Sequence, residues 1–455
     1  MLYGLNARPP VPQALLAAFA HLLAIVAGIA TAPLLIARGL NLTAATTAYV
    51  IGSAFVVSGL ATLIQVVRIG PVGSGLLSIQ GTSFSFIGVL IYAASLLDGT
   101  ALSDAERLGV LLGSGIVGGL VTVVAGVYIQ RLASVITLNV TGVTIFMLGV
   151  SLVWSAWQNL QWTVAAAEAA GTPSAWVWLQ AAVVIAVIAW LASRSSPWVR
   201  LSSICAGLAA GLVVAFFTTG LDVQVLAGSE QWLPPRWQPF PLAVNLGVVL
   251  VLLPIFLVSM TETVGDLTAT SMLSGVAVSG PQYWRRVRGG VVAGGINSML
   301  AALAGTFPNT TFSQNNAVIQ LTGVASRVVG VMVGVLLVLF GLLPAVGRFF
   351  QLIPGGVLHG ATGLMFALIA WAGLRLLRSQ ANPAGGMHRG LKMLAGCGGG
   401  ALALSFLPEL VSYMGFALPN YLSILLNFPV ASAALIAIAW EWFAGRGTTT
   451  SPVGS

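Results

Sequence analysis

The sequence predicts an all-α polytopic membrane protein. Fourteen transmembrane segments form a 7+7 inverted repeat, and short extended stretches break segments 3 and 10. Three observations predict this. The first is composition: of 455 residues, 58% are hydrophobic and 6% charged, where soluble proteins average roughly 25% charged. Apolar runs of roughly 20 residues, enough to cross a bilayer, recur from Ala14 to Trp442. The second is a polar island in the apolar second half: from Asn309 to Asn316 every residue but Phe312 carries a side-chain hydrogen-bonding group. The third is an echo of it, Thr82-Ser83-Phe84-Ser85 against Thr310-Thr311-Phe312-Ser313.

Hydropathy places the spans at 13–37, 44–67, 74–97 (broken), 107–129, 132–155, 175–193, 202–219, 242–266, 286–306, 308–323 (broken), 328–346, 355–376, 391–408 and 423–443. The stretch 409–428 is ambiguous. Basic residues test this count. With a cytoplasmic N-terminus, inner loops hold fourteen (among them Arg8, Arg68, Arg131, Arg285, Arg286, Arg288, Arg327 and Lys392). Outer loops hold Arg38, Arg107, Arg236 and Arg348. That bias is the one the positive-inside rule expects, and it puts both termini inside. It also accounts for the net charge of +8 without a nucleic-acid footprint. Many tryptophans, such as Trp154, Trp162 and Trp440, fall near span ends as an interfacial belt.

Each broken segment reads as an extended half followed by a half-helix. Pro308 disfavours a helix running through from Gly305, and Thr-Thr-Phe-Ser favours extended backbone. Gln314, Asn315 and Asn316 then open a short helix. Non-helical backbone survives at membrane depth only where protein or a wet cavity satisfies it, and secondary transporters bind their substrates at such breaks. Third and tenth are equivalent places in two halves of seven, and an odd number per half inverts the second half in the membrane.

Of ten acidic residues, Glu262 and Asp266 stand apart because they follow the run Leu246 to Met260 with no basic residue until Arg285. Their i, i+4 spacing puts them on one helix face. Two like charges so close in a low dielectric resist ionising together, so one of the pair is expected to hold a proton. The alternative is a helix ending near Met260, with both acids and Thr261, Thr263, Thr268 and Thr270 solvated. Pro254 and Gly265 favour a helix loosened at a cavity. His21, inside the first span, is a hydrogen-bonder between helices or a partner orienting Glu262. His359 and His388 sit near span ends and read as interfacial. Gln314 and Asn315 can pair with a flat heterocycle as amides pair with base edges. The half-helix N-terminus adds free N–H groups, and Phe84 can stack on a ring or merely pack.

Enzyme motifs such as His-Glu-x-x-His, Walker A, Cys-x-x-Cys and Gly-x-Ser-x-Gly are absent, so no enzyme activity, cofactor or metal site is expected. Transport would draw on an ion gradient. Cys205 and Cys397 read as buried hydrophobes without a disulfide. Gly52 to Gly59, Gly113 to Gly119 and Gly398 to Gly400 read as close helix packing. Residues 446–455 read as a disordered tail.

These motifs together resemble the nucleobase/ascorbate transporters, the second type of nucleobase:cation symporter. The family signature, Gln/Glu-Asn-x-Gly-x4-Thr, is similar to Gln314-Asn315-Asn316-Ala317-Val318-Ile319-Gln320-Leu321-Thr322. Thr261-Glu262-Thr263-Val264-Gly265-Asp266 looks like the eighth-span motif, and Gly81-Thr82-Ser83-Phe84-Ser85-Phe86 like the third-span motif. The resemblance covers nearly the whole chain. It implies a core domain (1–130 and 242–350), a gate domain (131–241 and 351–445), a homodimer and an elevator-type motion. It implies that Glu262 accepts hydrogen bonds from ring N–H groups, that Gln314 binds the opposite edge, and that Phe84, Ser83 and Asn315 line the site. Asp266 and His21 would support proton coupling; Asn316, Ala317 and Thr322 complete the motif. Gln at 314 followed by Asn-Asn looks like the xanthine/urate branch, whereas uracil transporters resemble a version with Glu there. The expectation is a multi-pass permease of the inner (plasma) membrane, importing xanthine or urate by proton symport. A sodium gradient, a uracil or broad nucleobase permease, and an anion exchanger or channel of the same fold are the alternatives. Four positions depart from the family pattern: Ala317 replaces the signature Gly, Gly294 a ninth-span Asp, Ala20 the Gln of a Gln-His pair, and His359 a Gly.

Overall fold

A backbone withdrawn from water must satisfy its own hydrogen bonds, which makes helices the default for the apolar runs. The computed structural model describes residues 2–132, 137–196, 202–226, 235–379, 389–414 and 429–446, with the single residues 199, 418, 423 and 426. The first half runs α1 (Val11–Gly39), α2 (Ala44–Val67), β1 (Gln80–Thr82), a 3-10 turn (Phe84–Phe86), α3 (Ile87–Ser95), α4 (Asp104–Val127), α5 (Ile129–Leu132), α6 (Leu138–Ala169), α7 (Ser174–Ala192) and α8 (Ser203–Thr218). The second runs α9 (Leu246–Leu273), α10 (Gly280–Leu303), β2 (Asn309–Thr311), α11 (Gln314–Thr322), α12 (Arg327–Gly341), α13 (Pro344–Gln351) and α14 (Gly355–Ser379). It closes with α15 (Arg389–Met393), a π-turn (Leu394–Gly398), α16 (Gly399–Ser405), α17 (Leu407–Tyr413) and α18 (Pro429–Arg446).

Among the described residues eight helices are long and apolar enough to cross a membrane, or nine if α12 and α13, bent by 77°, count as one span. The chain is thus a multi-pass membrane protein. The other expected segments are the two broken ones, the short α8 and α18, and α10, whose glycines and Arg285, Arg286 and Arg288 lower its hydropathy. The expected tail beyond 446 and His388 lie outside the described residues.

The helices pack in two sets. One joins α1, α2, α4, α9, α10 and α12, with β1 and β2 between them; the other joins α6, α7, α8, α14 and α18. Glycines bring α2 and α12 together: a Cβ on Gly52 would lie 3.1 Å from the carbonyl of Gly341, and one on Gly334 3.0 Å from that of Gly59. A Cβ on Gly119 would lie 2.9 Å from the carbonyl of Gly295 across α4 and α10. Gly398 instead closes the π-turn, and Gly399 and Gly400 open α16. Both cysteines are free.

The strands pair antiparallel, Gln80 with Thr311, Gly81 with Thr310 and Thr82 with Asn309. The ladder continues on both sides, from Ser83 N–H to the Pro308 carbonyl (3.0 Å) and from Phe312 N–H to that of Ile79 (3.0 Å). The two breaks therefore satisfy each other's backbones. Gly81 is needed because the Phe312 ring and Ile29 of α1 crowd the space a side chain would take.

Helix α9 departs from expectation. It continues to Leu273, past both acids, and Pro254 and Gly265 do not interrupt it. Its threonines explain why so polar a stretch stays helical. Thr261 and Thr263 donate to the carbonyls of Val258 and Ser259, and Thr268 and Thr270 to those of Val264 and Asp266, at 2.6–3.0 Å. Back-bonded hydroxyls need no water, so the reading of an end near Met260 is overturned.

Replacing Gly81 by Val should destabilise the detergent-solubilised protein by about 1–3 kcal/mol, the usual cost of overpacking. A melting temperature equal to that of the parent would show that the strand pair tolerates bulk.

Candidate functional site

The two acids of α9 each hold one break. Ser85, in the 3-10 turn after β1, donates to Glu262 Oε1 at 2.8 Å. Thr311 and Ser313, in and after β2, donate to Asp266 Oδ2 and Oδ1 at 2.8 and 2.7 Å. Asp266 thus uses both oxygens on the protein, while Oε2 of Glu262 accepts no hydrogen bond among the described residues. The i, i+4 spacing on α9 brings the first and second breaks side by side.

The amides of α11 divide in the same way. Asn315, almost fully buried, donates from Nδ2 to the Leu77 carbonyl at 2.5 Å, tying α11 to the stretch before β1. Asn316 Oδ1 lies 2.6 Å from Thr270 Oγ1 and shares that hydroxyl's single proton with the Asp266 carbonyl, tying α11 to α9. Gln314 is half-buried and its side chain makes no hydrogen bond among the described residues. It directly follows Ser313, which bonds Asp266. The first turn offers fewer free donors than the sequence suggests. The N–H groups of Asn315 and Asn316 turn back to the carbonyls of Phe312 and Ser313, 3.0 Å each, leaving that of Gln314 without a backbone partner.

Phe84 is buried under two rings, Phe312 at 6.1 Å between centroids and Phe366 of α14 edge-on at 5.6 Å. One ring belongs to the second break and the other to the second helix set. Ser83 is fully buried and caps the 3-10 turn, accepting from Ser85 N–H at 3.3 Å. Thr322 ends α11: its hydroxyl donates to the Val318 carbonyl at 2.8 Å and accepts from Val324 N–H at 3.2 Å. Gly323 follows with φ 66°, the left-handed cap that favours glycine. Ala317 lies exposed on α11, which forms regularly through it.

His21 is fully buried on α1, and among the described residues neither ring nitrogen makes a hydrogen bond, to another helix or to either acid, which corrects both readings of it. The structure therefore brings Glu262, Asp266, Gln314 and Phe84 into one region and gives Ser83 and Asn315 anchoring work. Sequence reasoning missed Ser85 as the partner of Glu262, although it lay inside the quoted third-span motif. It also missed Thr311, Ser313 and Thr270, whose signal was only that hydroxyls recur where acids must be held. Space is open beside Gly294: a Cβ there would meet nothing within 4 Å, so packing does not demand the glycine.

Two helix sets around a pair of antiparallel, half-extended segments define a membrane-transporter fold. The chain shares it with the transmembrane domain of a cyanobacterial bicarbonate transporter, BicA (TM-score 0.58, 12% identity, 96% of this chain and 98% of that one). It shares it too with the murine anion transporter Slc26a9 in its inward-facing state (TM-score 0.59, 13% identity, 98% and 70%). The family model Xan_ur_permease, described as "Permease family", matches residues 12–389. The chain is 38% identical over 445 residues to xanthine permease XanP of Escherichia coli K12, covering 96% of this chain and 93% of XanP. It is 37% identical over 440 residues to xanthine permease XanQ of the same organism, covering 96% and 92%. The chain belongs to this permease family, that of the nucleobase/ascorbate transporters.

Substituting Leu for Asn315 should leave the Leu77 carbonyl buried and unpaired, at a cost of about 1–3 kcal/mol. The melting temperature should fall; an unchanged value would show that the cross-link between the breaks is dispensable.

Proposed function

We propose that this permease imports a purine nucleobase, xanthine or urate, by proton symport. The observation that carries the proposal is that the α9 acids hold both breaks: Glu262 bonds the first through one oxygen and keeps the other free, and Asp266 bonds Ser313, the residue directly before the unengaged Gln314. A carboxylate accepts from ring N–H groups, and a primary amide both donates to and accepts from the opposite edge. The full-length similarity to XanP and XanQ, both named xanthine permeases, supports the purine class. Phe84, Gln314 N–H and the 3-10 turn complete the pocket. Ser83 and Asn315 act through the backbone they fix.

With glycine at 294, coupling falls on Glu262. Protonation of Glu262 would turn its free oxygen from an acceptor into an O–H donor, which changes the ring edge it can hold and so links the proton to the cargo. Asp266, bound on both oxygens, positions the second break. The set built on α1, α2, α4, α9, α10 and α12 is the core that carries the site, and the set built on α6, α7, α8, α14 and α18 is the gate against which it slides. The protein works as a homodimer in the inner membrane with both termini cytoplasmic, the orientation its basic residues favour.

Glu262→Gln should abolish accumulation against a gradient; concentrative uptake of xanthine or urate by that variant would remove Glu262 from the coupling role. Gln314→Glu should shift preference toward uracil in a competition panel, and unchanged selectivity would show that residue 314 does not read the base. A protonophore should collapse uptake by the parent protein, whereas collapse only on sodium removal would reassign the coupling ion.

A further inference from the structure

Between α1 and α3 on one side and α6 and α14 on the other lies a cavity of about 110 Å³. It stands apart from the Glu262–Gln314 region and shares only the Phe366 wall, behind which Phe84 packs. About 10–15 Å³ of such space holds one water, so the cavity has room for several waters or for one flat bicyclic ring. Its polar side chains are Arg38, Ser155, Asn159, His359 and Thr362, and no acid lines it.

Arg38 uses Nη2 on the carbonyls of Ile353 (2.7 Å) and Gln351 (3.5 Å). Its Nε and Nη1 make no hydrogen bond among the described residues. Asn159 donates to the Ser155 carbonyl at 2.9 Å, which leaves its amide oxygen as an acceptor. His359 is 9% exposed and its Nδ1 is buried without a hydrogen-bond partner. Its placement corrects the interfacial reading. A buried polar atom without a partner is costly, and such atoms are rare enough to require a cause. Leu35, Ile87, Leu152 and Phe366 supply apolar walls. A second cavity, of about 190 Å³, abuts the first at Gly39 and Ile91 and leads to the exposed Asp98–Arg107 ion pair and Asp104. Ile91 fills the space above Gly39, so the two cavities meet at a constriction.

We infer that this cavity is a second, outer binding site for the transported oxo-purine, occupied before the base passes Phe366 and Phe84. Arg38 and His359 take the carbonyl edge and Asn159 accepts a ring N–H. The inference rests on the purine reading above. The two sites have complementary chemistry. The inner one presents a carboxylate to N–H groups, and the outer one presents a fixed cation to oxygen atoms or to an anionic base that Glu262 would repel.

Binding of radiolabelled xanthine to the purified full chain in nanodiscs tests it, together with initial-rate uptake. Gln314→Ala protein should retain weak xanthine binding, and adding His359→Gly should remove it. On its own, His359→Gly should raise the uptake KM about three- to tenfold, the loss of one net hydrogen bond, with the maximal rate little changed. Arg38→Lys keeps the charge and can still reach the Ile353 carbonyl, but loses the guanidinium fork; it should raise KM likewise while melting as the parent does. Residual binding in Gln314→Ala that survives His359→Gly, no residual binding at all, or an unaltered KM in both single variants would overturn the outer site and leave the purine reading standing. Parent protein that neither binds nor transports any purine would overturn both.

Discussion

Everything near the site depends on two carboxylates one turn apart on α9. Glu262 holds the first chain break through Ser85, and Asp266 holds the second through Thr311 and Ser313. The breaks in turn satisfy each other's backbone through the β1–β2 pair. Neither arrangement stands without the other. Extended backbone inside a membrane protein needs partners for its N–H and C=O groups, and the strands supply them. The strands keep their position because hydroxyls on their flanks are bound to the acids.

Much of this was legible in the residues. Pro308, the hydroxyl run after it and the echo at Thr82–Ser85 located both breaks, and the strand and half-helix fall where those residues put them. The spacing of Glu262 and Asp266 gave their common face. The end of α9 was not legible, because threonines that bond to their own helix look in sequence like residues that want water. The separate duties of Asn315, Asn316 and Gln314 were not legible either. Three adjacent amides have one composition, and only the packing of α11 against the Leu77 stretch and α9 decides which are engaged and which is not. His359 near a span end read as interfacial because its sequence neighbours say nothing of α1 and α3.

The comparison with BicA and Slc26a9 separates fold from site. At 12–13% identity the fold is shared over 96–98% of this chain, yet function resides in what a fold presents at its breaks. This chain puts an acid and an amide there. Relatives that resemble it in sequence include two xanthine permeases, XanP and XanQ.

The antiparallel pair has a further consequence for synthesis. Residues 80–82 emerge from the ribosome long before residues 309–311 exist to pair with them. Until then the first strand is an open edge at membrane depth, and Ser85 has no Glu262 to bind. The amino-terminal half therefore cannot complete its fold while it is being made. Its last step waits for the inverted copy to be threaded through the bilayer, and a chain truncated after α8 is left with a strand that has nothing to pair with.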